Sequence, residues 1–531
     1  MEKEQKIVLN EKTIAFITQF MSQYQESAKY LIRSGNEKTI NTALIYEKLR
    51  VAVEYQEEHL IFKNAISRIV RRKYTLLPSI TADRLLNDLV SELSWADYVN
   101  PETIEDKTWE RIKSVIERYL YLLKYSRSGR FNKADLQKMI INWLACEIDD
   151  VMKPKKENDL LVDYTYGILK KGLSTDGTRL SDNENEIELR VTIFSLLLKP
   201  DLALIQYWLL KQVYPAWAKF TKDDLKKFGR SFDPYYNKID RYINHPFKPR
   251  YIQYVKKNIA PFIVLRTTLI ADGIDPNKMV AEPARLHSAA METYKTMVEA
   301  VRKKVVGATI RALMFIFITK ITLAFIIEIP FDRLIAGAIN YLSLTVNIAL
   351  PPLLMFISGA FTKSPPVKNY NVISSAITSI IFENKIEDKV FPLLPQKPPQ
   401  SYYAFNLFYG LLSVGVLIGV LRLLILLEFN IISISLFFLF VSIVSFFSFR
   451  IRNIALELAM KRSRDDALTS AVELIFLPFI RIGKYLSGQF ANFNPFILFL
   501  DFLIEAPLKT IIRIMNSWFK FINTKKEEIE F

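Results

Sequence analysis

From Leu334 to Phe361 the chain runs for 28 residues without a charged side chain. A helix needs about 20 apolar residues to cross a hydrocarbon core ~30 Å thick, so this run makes lipid the solvent for the later part of the chain. Three neighbours share its character. Ala312 to Ile327 is interrupted only by Lys320, Ala404 to Leu427 only by Arg422, and Asn430 to Phe449 carries no charge. The spacing predicts four transmembrane helices in two tight hairpins, with spans at about 312–331 and 334–361 and a second pair within 404–449.

Charge sets an expected orientation. Arg302, Lys303, Lys304 and Arg311 precede the first span, Lys363, Lys368, Lys385, Lys389 and Lys397 lie in the middle loop, and Arg450, Arg452, Lys461, Arg462 and Arg464 follow the fourth. Of these bases' kind, the two turns hold only Arg333. Cytoplasmic loops collect Lys and Arg, so both termini are expected in the cytosol of a plasma or inner membrane. The charged start, Met1 to Lys6, lacks the apolar core of a secretory signal, and no cleaved signal peptide is expected.

The net charge of +16 builds up along the chain. The Lys+Arg excess is +1 over residues 1–200, +6 over 201–300 and +9 over 301–531. Basic charge thus gathers towards the membrane, where anionic headgroups favour it. The single cysteine, Cys146, excludes an internal disulfide and a cysteine-based zinc site, and in Leu144-Ala145-Cys146-Glu147-Ile148 it reads as a buried apolar residue. His59, His245 and His287 are too far apart for a metal-hydrolase motif. The acidic loop Ser174 to Glu188 has its glycine in the wrong place for a calcium site. No metal, cofactor or enzymatic activity is expected.

The first ~300 residues read as helices. Asn10 caps a helix to about Arg33, and Glu37 to about Tyr74 reads as one long helix. Thr81, Asn100-Pro101 and Asn132 mark three further starts. Pro154 to Asn158 reads as a charged linker. Between Lys219 and Lys257, basic residues alternate with aromatics: Lys226, Lys227, Arg230, Arg241, Lys248, Arg250, Lys256 and Lys257 with Tyr235, Tyr236, Tyr242, Phe247, Tyr251 and Tyr254. Such a pattern fits a helical surface whose aromatics face a core, a contact with anionic lipid headgroups, or a nucleic-acid platform. The first two are favoured, and nucleic acid is not expected as a partner. Pro283 to Ile327 reads as one continuous helix leading into the first span.

Inside the spans, Lys320, Asn347 and Arg422 are the candidate polar path, with Pro351-Pro352 expected to break or kink the second span. The competing reading pairs Lys320 with Glu328 and Arg422 with Glu428. Gly415 and Gly419 form a GxxxG that admits a close helix neighbour, including a second copy of the chain. Beyond the fourth span, Asp501, Glu505, Lys509 and Arg513 recur every four residues on an otherwise apolar segment. That stripe fits a helix lying in the interface, and equally a fifth span with its stripe against the bundle.

The expected fold is all-α. A helical cytosolic N-terminal domain (1–300) leads into a membrane hairpin (301–361), a cytosolic basic loop (362–403), a second hairpin (404–449) and amphipathic, interfacial C-terminal helices (450–531). The expected function is a membrane-anchored scaffold or assembly factor whose helical domain holds a protein partner. The alternative is a transporter or small oligomeric channel.

Overall fold

The computed structural model describes residues 9–32, 60–96, 98–101, 104–178, 180–271, 276–333, 340–362, 368–386, 390–394, 401–460 and 467–492. The chain is all-α and divides into two compact units. The divisions fall between Ala289 and Ala290, Ser374 and Ser375, and Leu394 and Pro395. The sequence expectations at 33–59 and 495–518 lie outside the described residues.

The first unit is a helical domain: α1 (Glu11–Ile32), α2 (Ile61–Leu76), α3 (Ala82–Trp95), α4 (Asp106–Tyr125), α5 (Lys133–Met152), α6 (Lys156–Leu169), α7 (Asp182–Leu198), α8 (Leu202–Val213), α9 (Lys222–Arg230), α10 (Phe232–Ile243), α11 (Lys248–Asn258), α12 (Ala260–Leu269) and α13 (Pro276–Ala281). Several of these helices start where a short polar side chain accepts an orphan N–H. Thr81 caps α3, Asn132 caps α5 by accepting from Asp135 N at 2.8 Å, and Asp201 caps α8. Ser181 with Glu184 and Thr221 with Asp224 close reciprocal capping boxes. The Asn100-Pro101 signal fails, because α4 begins at Asp106 behind an extended Glu105. Pro101 instead accepts from Ile104 N in a turn, and the buried stripe Ile112, Ile116, Tyr119 and Leu123 begins only later.

Aromatic rings fill this core. Trp143 stacks on Phe232 at 5.8 Å, Phe228 meets Phe232 edge-on at 5.8 Å, and Trp217 meets Phe228 at 5.3 Å. A buried carboxylate sits among them and is paid for by donors: Glu147 accepts from Tyr119 Oη at 2.9 Å and Trp217 Nε1 at 3.1 Å, and pairs with Arg118. Cys146 is buried beside it, and burial pushes its thiol well above the ordinary range.

The second and third apolar helices are joined by a segment that returns to this helical unit. After α16 (Lys368–Thr378) and a π-helical turn, Ser379–Glu383, the chain lies along α1: Asn10 N donates to Ile381 O at 3.0 Å, while Ile377, Ile380 and Ile381 are buried. It then forms a two-residue parallel pairing, β1 (Leu173–Ser174) with β2 (Phe391–Pro392). The sequence shows a charged loop here because its lysines are conspicuous, while three isoleucines spaced for a helix give no hint of their partner.

The second unit holds four helices long and apolar enough to cross a membrane. They are α14 (Pro283–Leu323), continued by a π-helical turn at Ala324–Glu328 and a short end at Ile329–Phe331, then α15 (Tyr341–Phe361), α17 (Ser401–Leu426) and α18 (Ile431–Ala455). In α17 the apolar window is only 6% buried. Phe405, Phe408, Leu411, Val414 and Ile418 are all exposed, a surface far beyond the apolar patches of soluble proteins. The chain is an integral membrane protein on this ground. Hydroxyls in these helices turn inward: Thr319, Thr322, Ser413, Ser435 and Ser445 each donate to the carbonyl four residues back, which spares them an unpaired state in lipid.

Asparagines tie the two hairpins together at both ends. Asn340 and Asn430 cap α15 and α18 by accepting from Ser343 N at 3.0 Å and Ser433 N at 2.8 Å. Their amide groups then cross between the turns, Asn430 to Asp332 and Asn340 to Glu428 O at 3.5 Å. At the other end Asn369 donates to Tyr294 Oη at 2.7 Å and Leu458 O at 2.8 Å, and accepts from Met460 N at 3.0 Å. One asparagine thus joins the N-terminal part of the first apolar helix to the segments after the second and after the fourth. The last described helix, α19 (Ala467–Asn492), has Phe479 stacked on Phe438 at 6.0 Å and Gly483 against Ser442 and Phe446 of α18.

Candidate functional site in the membrane unit

Lys320 lies in the last turn of α14 and Glu328 eight residues on. Eight residues of regular α-helix leave two side chains about 80° apart around the axis. The π-helical turn at Ala324–Glu328 holds more residues per revolution and brings Glu328 round to the face of Lys320. The two form an ion pair of 2.8 Å, and both side chains are 0% exposed. Lys320 Nζ also stands 5.0 Å from the ring centroid of Phe440 on α18, within cation–π range.

Asn347 of α15, also buried, completes the cluster. Its Nδ2 donates to Glu328 Oε1 and, at 3.2 Å, to Ser433 O. Both partners are acceptors, which fixes which end of the amide faces them. Among the described residues, Glu328 Oε2 and Asn347 Oδ1 are left buried without a hydrogen-bond partner. Pro351 and Pro352 stand four residues beyond Asn347 and Ile348, where they supply no N–H to the carbonyls of those two residues. The expected break does not occur. α15 is helical through both prolines, and freed acceptors next to Asn347 are the consequence.

The three residues of the candidate path therefore separate. Lys320 and Asn347 meet through Glu328 in one closed cluster, whereas Arg422 is exposed on α17. Glu428 is exposed as well, at a left-handed φ of 59° that ends the α17–α18 turn. Among the described residues, nothing within 4 Å would meet a Cβ at Gly415 or Gly419, so no described helix uses their close approach. Among the described residues of this unit, Gly359 packs closely against Thr309 and Gly483 against Ser442. They lack the GxxxG spacing, and the sequence offers no sign of them.

In the helical unit most aromatics between Lys219 and Lys257 face inward: Phe228, Phe232, Tyr236, Tyr242, Tyr251 and Tyr254 are buried, and Tyr235 and Phe247 are half-buried. Several of the basic residues have internal partners. Arg241 pairs with Glu184 at 2.7 Å, Lys248 with Glu188 at 2.9 Å, and Lys226 lies over Tyr125. Arg250 donates to Pro392 O at 2.8 Å and Leu393 O at 3.4 Å and covers the Phe391 ring. Lys227, Arg230, Lys256 and Lys257 are exposed. Among the described residues, no cluster of three or more His, Cys, Asp or Glu has metal-binding geometry. Comparison with protein-family models, curated proteins and solved structures finds no match for this chain.

Proposed function

We propose that this integral membrane protein is a scaffold or assembly factor that holds its helical unit at the cytosolic face of a plasma or inner membrane. One observation carries the reading: the connection between the second and third apolar helices contributes residues 375–394 to the helical unit. The chain consequently passes between the units three times, and a domain tethered at three points of its own chain suits a platform better than a swinging arm. The Lys and Arg around those passages support the cytosolic placement. Extraction in mild detergent, followed by native mass measurement, tests the proposal. A partner protein in fixed stoichiometry is expected. A chain that purifies alone and moves a solute in proteoliposomes overturns it.

The buried Lys320–Glu328–Asn347 cluster favours a second reading, a transporter or small oligomeric channel, because ionisable groups at membrane depth usually serve function. Ion flux in proteoliposomes that is unchanged by Lys320→Ala and by Asn347→Leu removes that reading.

A further inference from the structure

The segment that joins the second and third apolar helices is held in the helical unit by Arg250, and Arg250 stands two residues from a buried ion pair. Lys248 opens α11, and its ammonium lies 2.9 Å from Glu188 Oε1 of α7. Glu188 is 0% exposed, and neither carboxylate oxygen has a hydrogen bond of good geometry. Lys248 also donates to Tyr242 O at 3.3 Å. One turn of α11 therefore carries both the charge partner of Glu188 and the guanidinium that grips Pro392 and Leu393.

The other groups around this carboxyl do not replace Lys248. On its own helix, Glu184 is taken by Arg241, and Thr192 Oγ1 donates to the Glu188 carbonyl and stands near enough to its carboxylate to help the charged form a little, less than Lys248 does. From α10 come Arg241 and Tyr242, from the following turn His245, and from α11 Tyr251, whose hydroxyl is given to Asn185. His245 Nδ1 accepts from Phe247 N at 3.2 Å, and burial lowers its pKa, which favours the neutral ring. Desolvation outweighs Lys248 and raises Glu188 from 4.5 to about 7. Between those values the folded protein keeps a proton that the unfolded chain has lost. The contribution of Glu188 to stability therefore falls as pH rises through that interval.

We propose that Glu188 is a pH-sensitive latch on the 391–393 strap: protonated, it lets α7 and α11 close and Arg250 hold the strap, and ionised, it draws water into the contact and loosens the grip. The strap lies in the 375–394 stretch, which residues of the membrane unit flank on both sides along the chain, so the latch acts on the connection between the second and third apolar helices. It operates across neutral pH, and it holds whether or not the helical unit is a scaffold.

Hydrogen exchange of the full-length protein in nanodiscs, corrected for the intrinsic pH dependence of exchange, tests the latch. The amide of Leu393, which donates to Ser174 O at 2.9 Å, is the reporter. At pH 8 it is expected to exchange at least about tenfold faster than at pH 6. Glu188→Gln is expected to remove that difference and leave slow exchange at both values, and Arg250→Ala to give fast exchange at both. Equal protection of Leu393 in the wild type at pH 6 and pH 8 overturns the proposal, as does a pH difference that persists in Glu188→Gln. Should Glu188→Gln fail to fold, Glu188→Met is read in its place, and the wild-type comparison stands by itself.

Discussion

Asn369 shows what one side chain contributes when every polar atom it has is used. Its amide meets Tyr294, Leu458 and Met460, and it is 1% exposed. Asn369→Ala strands a buried hydroxyl and a buried carbonyl, which costs about 2–4 kcal/mol. Thermal unfolding in detergent should show the loss, while Asn369→Asp should also weaken the node, having no N–H to donate. Lys320 and Glu328 predict a different pattern. Removing one member of a buried pair leaves an unpaired charge and costs roughly 3–5 kcal/mol, whereas replacing both with apolar residues is often close to neutral. Lys320→Met and Glu328→Met should each destabilise strongly, and the double variant far less. Additive losses in that cycle would show that the two side chains do not act as a pair. Lys320 was legible in the sequence because a charge in an apolar run demands an explanation, and its pairing with Glu328 was among the readings. Asn369 was not legible, since one asparagine in a basic loop resembles any other.

At the scale of the helix, the sequence was readable at most boundaries set by a local cap, the Asn100-Pro101 start being the exception. Thr81 and Asn132 each mark a helix start because capping is a contact between near neighbours, whereas Asn340, read as lying inside the second span, caps it instead. It failed where the decision is made by another element. The prolines of α15 do not interrupt it, because lost donors inside a bundle are tolerated when neighbours surround the site. The GxxxG of α17 meets nothing among the described residues, while Gly483 is pressed against Ser442 and Phe446. Gly483→Leu should therefore separate α18 from α19 and lower the melting temperature of the protein by several degrees. Gly415→Leu should leave the melting temperature of the single chain unchanged. If Gly415→Leu instead lowers an oligomer's mass without destabilising the chain, the open face of α17 is where copies meet.

For the molecule as a whole, the arrangement of apolar runs and basic loops was enough to state an all-α chain with four apolar helices. The sharing of residues 375–394 with the helical unit was beyond the sequence, because it depends on Asn10, Ser174 and Arg250, up to hundreds of positions away. That sharing makes topology testable. A compact unit lies on one side of a bilayer, so Gln253 and Glu383 must share a compartment. Arg333 and Glu428 stand in the turns that Asn340 and Asn430 tie together, at the opposite end of the hairpins from Asn369. Cys146 is buried, so single cysteines can be introduced at exposed positions and read against a low background. In sealed vesicles, a membrane-impermeant maleimide should label Gln253→Cys and Glu383→Cys from one side only. Arg333→Cys and Glu428→Cys should label from the other. A shared response of all four positions would mean that the hairpins do not cross, and the exposed surface of α17 would then have to be covered by protein rather than lipid. Labelling of Gln253→Cys and Glu383→Cys from opposite sides would break the helical unit itself, since the hydrogen bonds from Arg250 to the strap cannot form across a membrane.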